Sequence, residues 1–176
     1  RSEKSINSCL KAIKKQKMFI DILINNASIN PEYSKIQNSK KNNNRLENFK
    51  INQWNKEISV GLTGAFLCSR IFGNEMANNK RGIILNISSD LSIIAPDQRL
   101  YKKRKLKNHK QPVKPITYSV IKTGLIGLTK YLATYWAQSG VRCNSISPGS
   151  IFDNQNKIFV KNLNKLIPLG RMAKKN

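Results

Sequence analysis

The chain has 176 residues, a formal charge of +23 and a hydrophobic fraction of 39%. This length suits one domain or part of a larger one, and the apolar runs are too short to span a membrane. Three scattered cysteines and one histidine argue against a disulfide framework or a metal site, and they fit a reducing cytoplasm. The positive charge indicates either a polyanionic partner such as nucleic acid or a general over-use of Lys.

Short apolar runs alternate with longer amphipathic stretches along the chain. Runs of four to eight apolar residues indicate buried strands, and apolar residues that recur every three or four positions indicate helices. The helix that precedes Gly140 carries the clearest stripe, and this glycine suits a helix stop. In chain order the predicted elements are a helix at 5–17, a strand at 19–24, a helix at 51–72, a strand at 82–89, a helix at 118–139, a strand at 141–146 and a helix at 154–166.

Strands that alternate with helices of more than ten residues predict a parallel sheet with helical crossovers. The predicted fold class is therefore α/β, a partial Rossmann-like, doubly wound parallel sheet with about three central strands and flanking helices. Three strands make a small sheet, so we expect residues 1–176 to form a single, incomplete domain. The chain also begins with Arg1 rather than Met, which suggests that its start is not a natural one.

Tyr118 and Lys122 are four residues apart at the start of the helix with the clearest stripe. This spacing places a phenol and an ammonium on one helix face. Because a nearby cation favours the phenolate, we expect the pKa of Tyr118 to lie below its ordinary value. The pair is therefore a candidate for proton transfer.

Other candidate residues fall at strand ends, where open α/β sheets bind ligands. They are Asn25-Asn26-Ala27-Ser28, Ser89 and Pro148-Gly149. Together with Tyr118-x-x-x-Lys122, and in this order, they resemble the short-chain dehydrogenase/reductase family from about residue 5 to the C-terminus. Two further segments, 90–101 and 167–173, are similar to the flagellin modification oxidoreductases of this family, which are linked to the synthesis of nonulosonic sugars.

The resemblance implies hydride transfer between NAD or NADP and a secondary alcohol or ketone. Tyr118 would be the general acid and base, Lys122 would bind the nicotinamide ribose, and Ser89 would hydrogen-bond the substrate oxygen, with Ser88 as the near alternative. Gln98 and Arg99, in the more specific segment, are candidate substrate contacts. The implied cofactor contacts are Asn26, Ala27, Tyr118, Lys122, Pro148, Gly149 and Ile151.

The chain departs from the family pattern in four ways. Gly61 stands where the family usually has a catalytic Asn, and Ser28 replaces a usual glycine. The first two strands and the last strand of the family are missing. No glycine precedes Gly61, so nothing can form the glycine-rich turn that holds the cofactor's pyrophosphate. The fourth departure is an unusually long segment between Ser89 and Tyr118.

This segment, residues 90–117, is rich in Lys and Arg and is predicted to be a basic insertion near the mouth of the active site. One hypothesis is a rim that favours an anionic sugar substrate; the alternative is an ordinary solvated loop. Under the first hypothesis, charge reversal at Lys103 and Arg104 should raise KM for an anionic substrate.

The leading interpretation is a fragment or truncated form of an oxidoreductase that acts on a sugar or sugar phosphate during synthesis of a surface or flagellin glycan precursor. The alternative is a catalytically inactive relative that serves as an interaction subunit. We expect a cytoplasmic homodimer or homotetramer when the protein is complete, with no membrane and no specific nucleic acid as partner. No helix-turn-helix, zinc-finger or aromatic stacking pattern supports a nucleic-acid-binding module.

Overall fold

The computed structural model describes residues 2–29 and 44–175. Its sheet contains three parallel strands in the order β1 (Ile22–Asn25), β2 (Gly82–Ile87) and β3 (Val141–Ile146). The register pairs Ile22 with Ile83 and Ile87 with Ile146. The predicted α/β fold with a parallel three-stranded sheet is therefore confirmed.

Five helices accompany the strands in the described part of the chain. The second and third are joined by one π-helical turn, residues Ser59–Thr63, so they form one continuous helical segment. None of the helices in residues 2–29 and 44–175 is long and apolar enough to cross a bilayer. The helices are α1 (Glu3–Lys15), α2 (Ile51–Ile58), α3 (Gly64–Asn78), α4 (Ile116–Tyr135) and α5 (Lys157–Asn164).

The element boundaries differ from the predicted ones at several ends. The first strand begins at Ile22 rather than at residue 19, since only the last part of the apolar run pairs with β2. The predicted helix 51–72 continues to Asn78 and is interrupted by the π-helical turn. Phe66 of this helix is 44% exposed and lies under the Arg70 guanidinium. Most of the polar stretch 30–48 lies outside the described residues.

The main core forms where α3 and α4 pack on one face of the sheet. Ile84 of β2 is fully buried there, and each large apolar side chain buried in this way stabilises the fold by about 1.5–3 kcal/mol. The apolar stripe predicted for the long helix is confirmed, because its members lie in the two clusters beneath the helix. They are Ile121, Leu125, Leu128, Leu132 and Trp136. The main cluster contains Met76, Ile84, Leu132, Trp136, Val141 and Cys143.

The opposite face of the sheet carries exposed apolar side chains. Ile22, Ile24 and Ile146 are 59%, 57% and 49% exposed, and the strand register places all three on that face. A parallel sheet in an α/β domain normally has both faces covered. In the described residues, therefore, helices cover only one face of the sheet.

The basic segment folds into short 3-10 turns rather than an open loop. The buried Gln111 side chain accepts from the Lys103 N–H at 2.8 Å and donates to the Leu106 carbonyl oxygen at 2.7 Å. Tyr101 packs against Phe159 of α5 with ring centroids 5.7 Å apart. The last two residues of the predicted segment, 116 and 117, already belong to α4 because the helix begins directly after Pro115.

Helix α4 ends at Tyr135 rather than at residue 139, and Gly140 ends the 3-10 turn Ala137–Ser139 that leads into β3. The Gly140 φ of +71° is left-handed, and an added Cβ would overlap the Lys80 carbonyl oxygen. We expect Gly140→Ala to lower the free energy of unfolding by about 1–3 kcal/mol, measured by urea denaturation.

Gly127, in the interior of α4, is the matched control. A Cβ there meets no atom within 4 Å, so Gly127→Ala should raise the free energy of unfolding by up to about 1 kcal/mol. Equal effects of the two substitutions would show that the backbone at Gly140 imposes no constraint.

Candidate active site

The candidate residues gather at the carboxyl end of the sheet. Asn26 and Ala27 follow β1, the two serines follow β2, and Pro148-Gly149 follows β3. The Asp90 N–H donates to the Pro148 carbonyl oxygen at 3.1 Å, which joins the last two of these segments. This edge is where open parallel sheets bind ligands, and α4 presents Tyr118 to it.

The two serines after β2 have different partners. The Ser88 hydroxyl donates to the backbone carbonyl of Lys122 at 2.7 Å and is buried within the fold. The Ser89 hydroxyl donates to the Asp90 carboxylate at 2.8 Å and lies close enough to Tyr118 to lower the pKa of its phenol. Only Ser89 therefore has its hydroxyl at the tyrosine.

Tyr118 is the centre of the site, and its titration differs from the expected one. Burial raises the pKa of the phenol above its ordinary value, the hydrogen bond with Ser89 lowers it, and the Asp90 charge raises it further. The expectation of a lowered pKa is therefore wrong for the chain as described. A buried phenol is favoured in its neutral form.

Lys122 lies one turn along α4 from the tyrosine. Its ammonium donates to the Ile87 carbonyl oxygen at 2.7 Å and is 5.7 Å from the centroid of the Tyr118 ring. Burial lowers the pKa of Lys122. Because its ammonium is engaged by the end of β2, this lysine is positioned beside the phenol without being paired to the phenol oxygen.

A second lysine, which the sequence did not single out, lies closer to the ring. The Lys114 ammonium is 3.8 Å from the centroid of the Tyr118 ring. Burial lowers the pKa of Lys114 to about 8, against the raising effect of Asp90. The four-residue spacing from Tyr118 was visible in the sequence, but nothing in a run of basic residues indicated which one would turn inward.

A buried chain of amides supports the site from below. The Asn25 side chain donates to Asn86 Oδ1 at 2.8 Å and to Ser69 Oγ at 2.9 Å, and the Asn86 amide donates to Thr129 Oγ1 at 2.8 Å. These bonds link β1, β2, α3 and α4, and Asn86, Ser69 and Thr129 are buried. The half-buried Asn25 is thus bonded to the interior rather than being only a turn residue.

The remaining predicted cofactor contacts line an open edge. Asn26, Ala27, Pro148 and Gly149 are exposed, as expected of groups that would contact a ligand. Ile151 is 45% exposed and its backbone bridges to Ala173, so the C-terminal segment anchors this loop. Their roles in cofactor binding stay predictions.

The predicted substrate contacts have other partners in this structure. Gln98 Oε1 accepts from the Lys114 N–H at 2.9 Å, and the Arg99 guanidinium pairs with the Asp97 carboxylate at 2.8 Å. Gln98 therefore positions the chain beside the site, and Arg99 is engaged within its own turn. A substrate role for either residue stays a prediction.

Gly61 is buried against α4. An added Cβ at this position would come within 2.7 Å of Ile121 Cγ2, which belongs to a stiff, β-branched side chain. Asn at position 61 would require Ile121 to move. The packing of Ile121 against Gly61 therefore leaves no space for the Asn that the family usually has at this position.

Glu57 contributes a contact that the sequence pattern did not reveal. Its buried carboxylate accepts from the Thr117 hydroxyl and from the Gln53 amide, the latter at 2.9 Å. The residue before α4 is Pro115, whose side chain cannot cap a helix. A carboxylate near a helix N-terminus is favourable, so Glu57 stabilises the turn that carries Tyr118.

Comparison with known proteins shows the family to which the chain belongs. The family model described as Enoyl-(Acyl carrier protein) reductase matches residues 1–176. A 3-oxoacyl-[acyl-carrier-protein] reductase FabG of Aquifex aeolicus is 30% identical over 176 residues, which are 98% of this chain and 60% of the relative. The chain belongs to the short-chain dehydrogenase/reductase family.

Two further relatives extend the comparison. An NAD-dependent glycerol dehydrogenase of Listeria innocua is 28% identical over 97% of this chain and 59% of its own length. The crystal structure of a short chain dehydrogenase from Leptospira borgpetersenii with bound NAD+ has a TM-score of 0.81 and 33% identity, covering 98% of this chain and 59% of that one. The chain thus spans about three fifths of the length of each of these three proteins.

The contact between Glu57 and Thr117 can be tested by stability. We expect Thr117→Val to lower the free energy of unfolding by about 1–3 kcal/mol, because it removes one partner of a buried carboxylate. Thr134→Val is the matched control, since the exposed Thr134 hydroxyl bonds only carbonyls of its own helix. Urea denaturation that gives both variants the same midpoint would contradict this role.

Proposed function

We propose that this chain is the proton-transfer part of an NAD(P)-dependent oxidoreductase that interconverts a secondary alcohol and a ketone. The observation that carries the proposal is the convergence of Ser89 and Lys122 on Tyr118 at the carboxyl end of the sheet. A hydroxyl donor, a phenol and a cation are the groups that such a reaction needs from the protein.

Each residue has a distinct part in the proposed chemistry. Tyr118 gives a proton to the substrate oxygen during reduction and removes it during oxidation. Ser89 donates a hydrogen bond to the same oxygen, and the Lys122 ammonium would bind ribose hydroxyls of the cofactor. Because the phenol is neutral at ordinary pH in this structure, it is ready to act as an acid.

The residues present fit only one end of a dinucleotide. Asn26, Ala27, Lys122 and the loop from Pro148 to Ile151 offer polar and backbone groups for a nicotinamide and its ribose, and the cofactor would supply the hydride chemistry there. Residues 1–60 contain no glycine, so a close backbone approach to a pyrophosphate is not available. Either NAD or NADP is compatible with the described residues.

We further propose a sugar or sugar phosphate as substrate, within the synthesis of a surface or flagellin glycan precursor. Relatives named for glycerol, D-threitol and galactitol support a polyhydroxylated substrate. The basic segment, which ends at the tyrosine, supports an anionic group on it. Turnover of neutral polyols in preference to sugar phosphates or sugar acids would remove the anionic part of this proposal.

The second candidate is an inactive relative that acts as an interaction subunit. Gly61, whose position leaves no room for an amide without movement of Ile121, is the observation that favours it. The two candidates differ in one respect that can be measured, which is whether turnover depends on the phenol of Tyr118.

Assembly and location are also proposals. The rings of Tyr131 and Tyr135 stack at 5.6 Å on α4 and are 62% and 64% exposed, which supports a homodimer or homotetramer formed through this helix. Sedimentation of a single species of monomer mass would contradict the assembly. We expect the protein in the cytoplasm, and cell fractionation tests this.

Removal of the phenol hydroxyl tests the proposed function. In a chimaera that places the N-terminal part of the Aquifex aeolicus relative before residue 1, we expect Tyr118→Phe to lower kcat about 10²–10⁴-fold, because the proton donor is lost. NAD(P)H absorbance during oxidation of polyols measures the rate. Tyr135→Phe, which changes an exposed tyrosine in the same way, is the control, and equal rates in both variants would favour the inactive subunit.

Cofactor affinity tests the missing pyrophosphate site. We expect the 176-residue chain alone to bind NAD(H) or NADP(H) weakly, with Kd above about 1 mM, equivalent to less than about 4 kcal/mol of binding free energy. Isothermal titration calorimetry measures this, with the chimaera as the positive control. A micromolar Kd for the chain alone would show that another part of it holds the pyrophosphate.

A further inference from the structure

Lys114 occupies a defined position beside Tyr118. Its backbone N–H donates to Gln98 Oε1 at 2.9 Å, and the next residue, Pro115, is fully buried. Its ammonium lies 3.8 Å from the centroid of the Tyr118 ring, closer than that of Lys122 at 5.7 Å. The backbone of Lys114 is therefore fixed by its hydrogen bond and by the buried residue that follows it. Its ammonium lies over the Tyr118 ring, whose hydroxyl would meet the substrate.

The charged groups that the structure describes around the phenol do not sum to zero. Two ammonium groups, from Lys114 and Lys122, and the carboxylate of Asp90 influence one another's titration or that of the phenol. The Lys122 ammonium donates to a strand carbonyl at 2.7 Å, and the Asp90 carboxylate accepts from the Ser89 hydroxyl and the Leu91 N–H, both at 2.8 Å. Among residues 2–29 and 44–175, these three groups together carry one net positive charge in a partly desolvated place, which favours an incoming anion.

We propose that Lys114 is a specificity-determining residue, whose ammonium binds a carboxylate or phosphate that the substrate carries close to its reacting carbon. This inference rests on the function proposed above and names the substrate class for the same site. Since burial lowers the pKa of Lys114 to about 8, the side chain is mostly charged at pH 7 and an adjacent anion would compensate for its lost hydration.

Binding to the 176-residue chain provides a test that needs no turnover. The probes are glycerate, which carries a carboxylate beside a secondary alcohol, glycerol 3-phosphate, which carries a phosphate, and neutral glycerol. We expect wild type to bind at least one anionic probe about tenfold or more tightly than glycerol by calorimetry at pH 7. The two anionic probes distinguish a carboxylate from a phosphate.

Matched variants decide whether Lys114 causes this preference. Lys114→Met should abolish it, and Lys114→Arg should retain it because the cation is kept. Lys110→Met removes the same charge from an exposed position in the same segment, and it should retain the preference for the anionic probe. If Lys114 alone determines this preference, the charge reversals at Lys103 and Arg104 should retain it as well. Retention of the preference in Lys114→Met, or equal loss in Lys110→Met, would overturn the proposal and indicate general attraction to a basic surface.

The dependence on pH gives a second readout. As pH rises from 7 to 9.5, wild-type Lys114 loses its charge through a pKa of about 8, so the preference for the anionic probe should fall about tenfold. Lys114→Arg should keep the preference over this range, because a guanidinium remains charged. A parallel fall in both proteins would overturn the proposal.

If the Tyr118→Phe experiment shows no dependence of turnover on the phenol, the proposed function fails, while these binding constants still decide the role of Lys114.

Discussion

The site depends on a reciprocal pair of hydrogen bonds between α4 and the end of β2. The Ser88 hydroxyl donates to the Lys122 carbonyl oxygen, and the Lys122 ammonium donates to the Ile87 carbonyl oxygen, each at 2.7 Å. One bond fixes the helix backbone and the other fixes the lysine side chain. Because Tyr118 is one turn earlier on the same helix, these contacts also place its phenol beside Ser89. A shift of α4 along the strand would break both bonds and separate the tyrosine from the serine.

The core and the buried amide chain maintain this arrangement. Apolar packing beneath α4 supplies most of the stability, yet it is not directional and would tolerate small sliding motions. The chain from Asn25 through Asn86 to Thr129 is directional, and an incorrect register would leave amides unpaired in the interior. The Glu57 carboxylate adds a third restraint at the start of α4, where Pro115 offers no cap. These polar contacts therefore select one register of the helix on the sheet.

The electrostatics of the site follow from burial more than from charge pairing. Desolvation raises the pKa of the phenol and lowers the pKa of both neighbouring lysines, so each group is moved toward its neutral form. A bound ligand that brings hydroxyls or an anion would offset part of that loss. This balance explains why a tyrosine with an adjacent lysine does not have a lowered pKa in the chain as described. The same balance explains why Lys114 is well suited to distinguish an anionic substrate from a neutral one.

Local patterns in the sequence determined the fold class and the residues that meet at the strand ends. Alternating apolar runs and a 3.6-residue stripe depend on short-range periodicity, so the parallel three-stranded sheet and α4 were predictable. The choice of Ser89 rather than Ser88 came from the resemblance to a family, and its role remains a prediction. The pairing of Asn25 with Asn86, which are 61 residues apart, left no periodic signal.

Only the tertiary structure decided which polar groups are buried and which of many lysines lies at the phenol. Glu57 belongs to an amphipathic helix and Lys114 to a segment rich in Lys and Arg, and neither pattern indicates which charged side chain is buried. Their environments depend on how distant elements pack, and a pKa depends on that environment rather than on the neighbours in sequence. The sequence by itself determined the kind of chemistry this site is suited to. The packing decided its charge balance, because desolvation is a property of the folded chain.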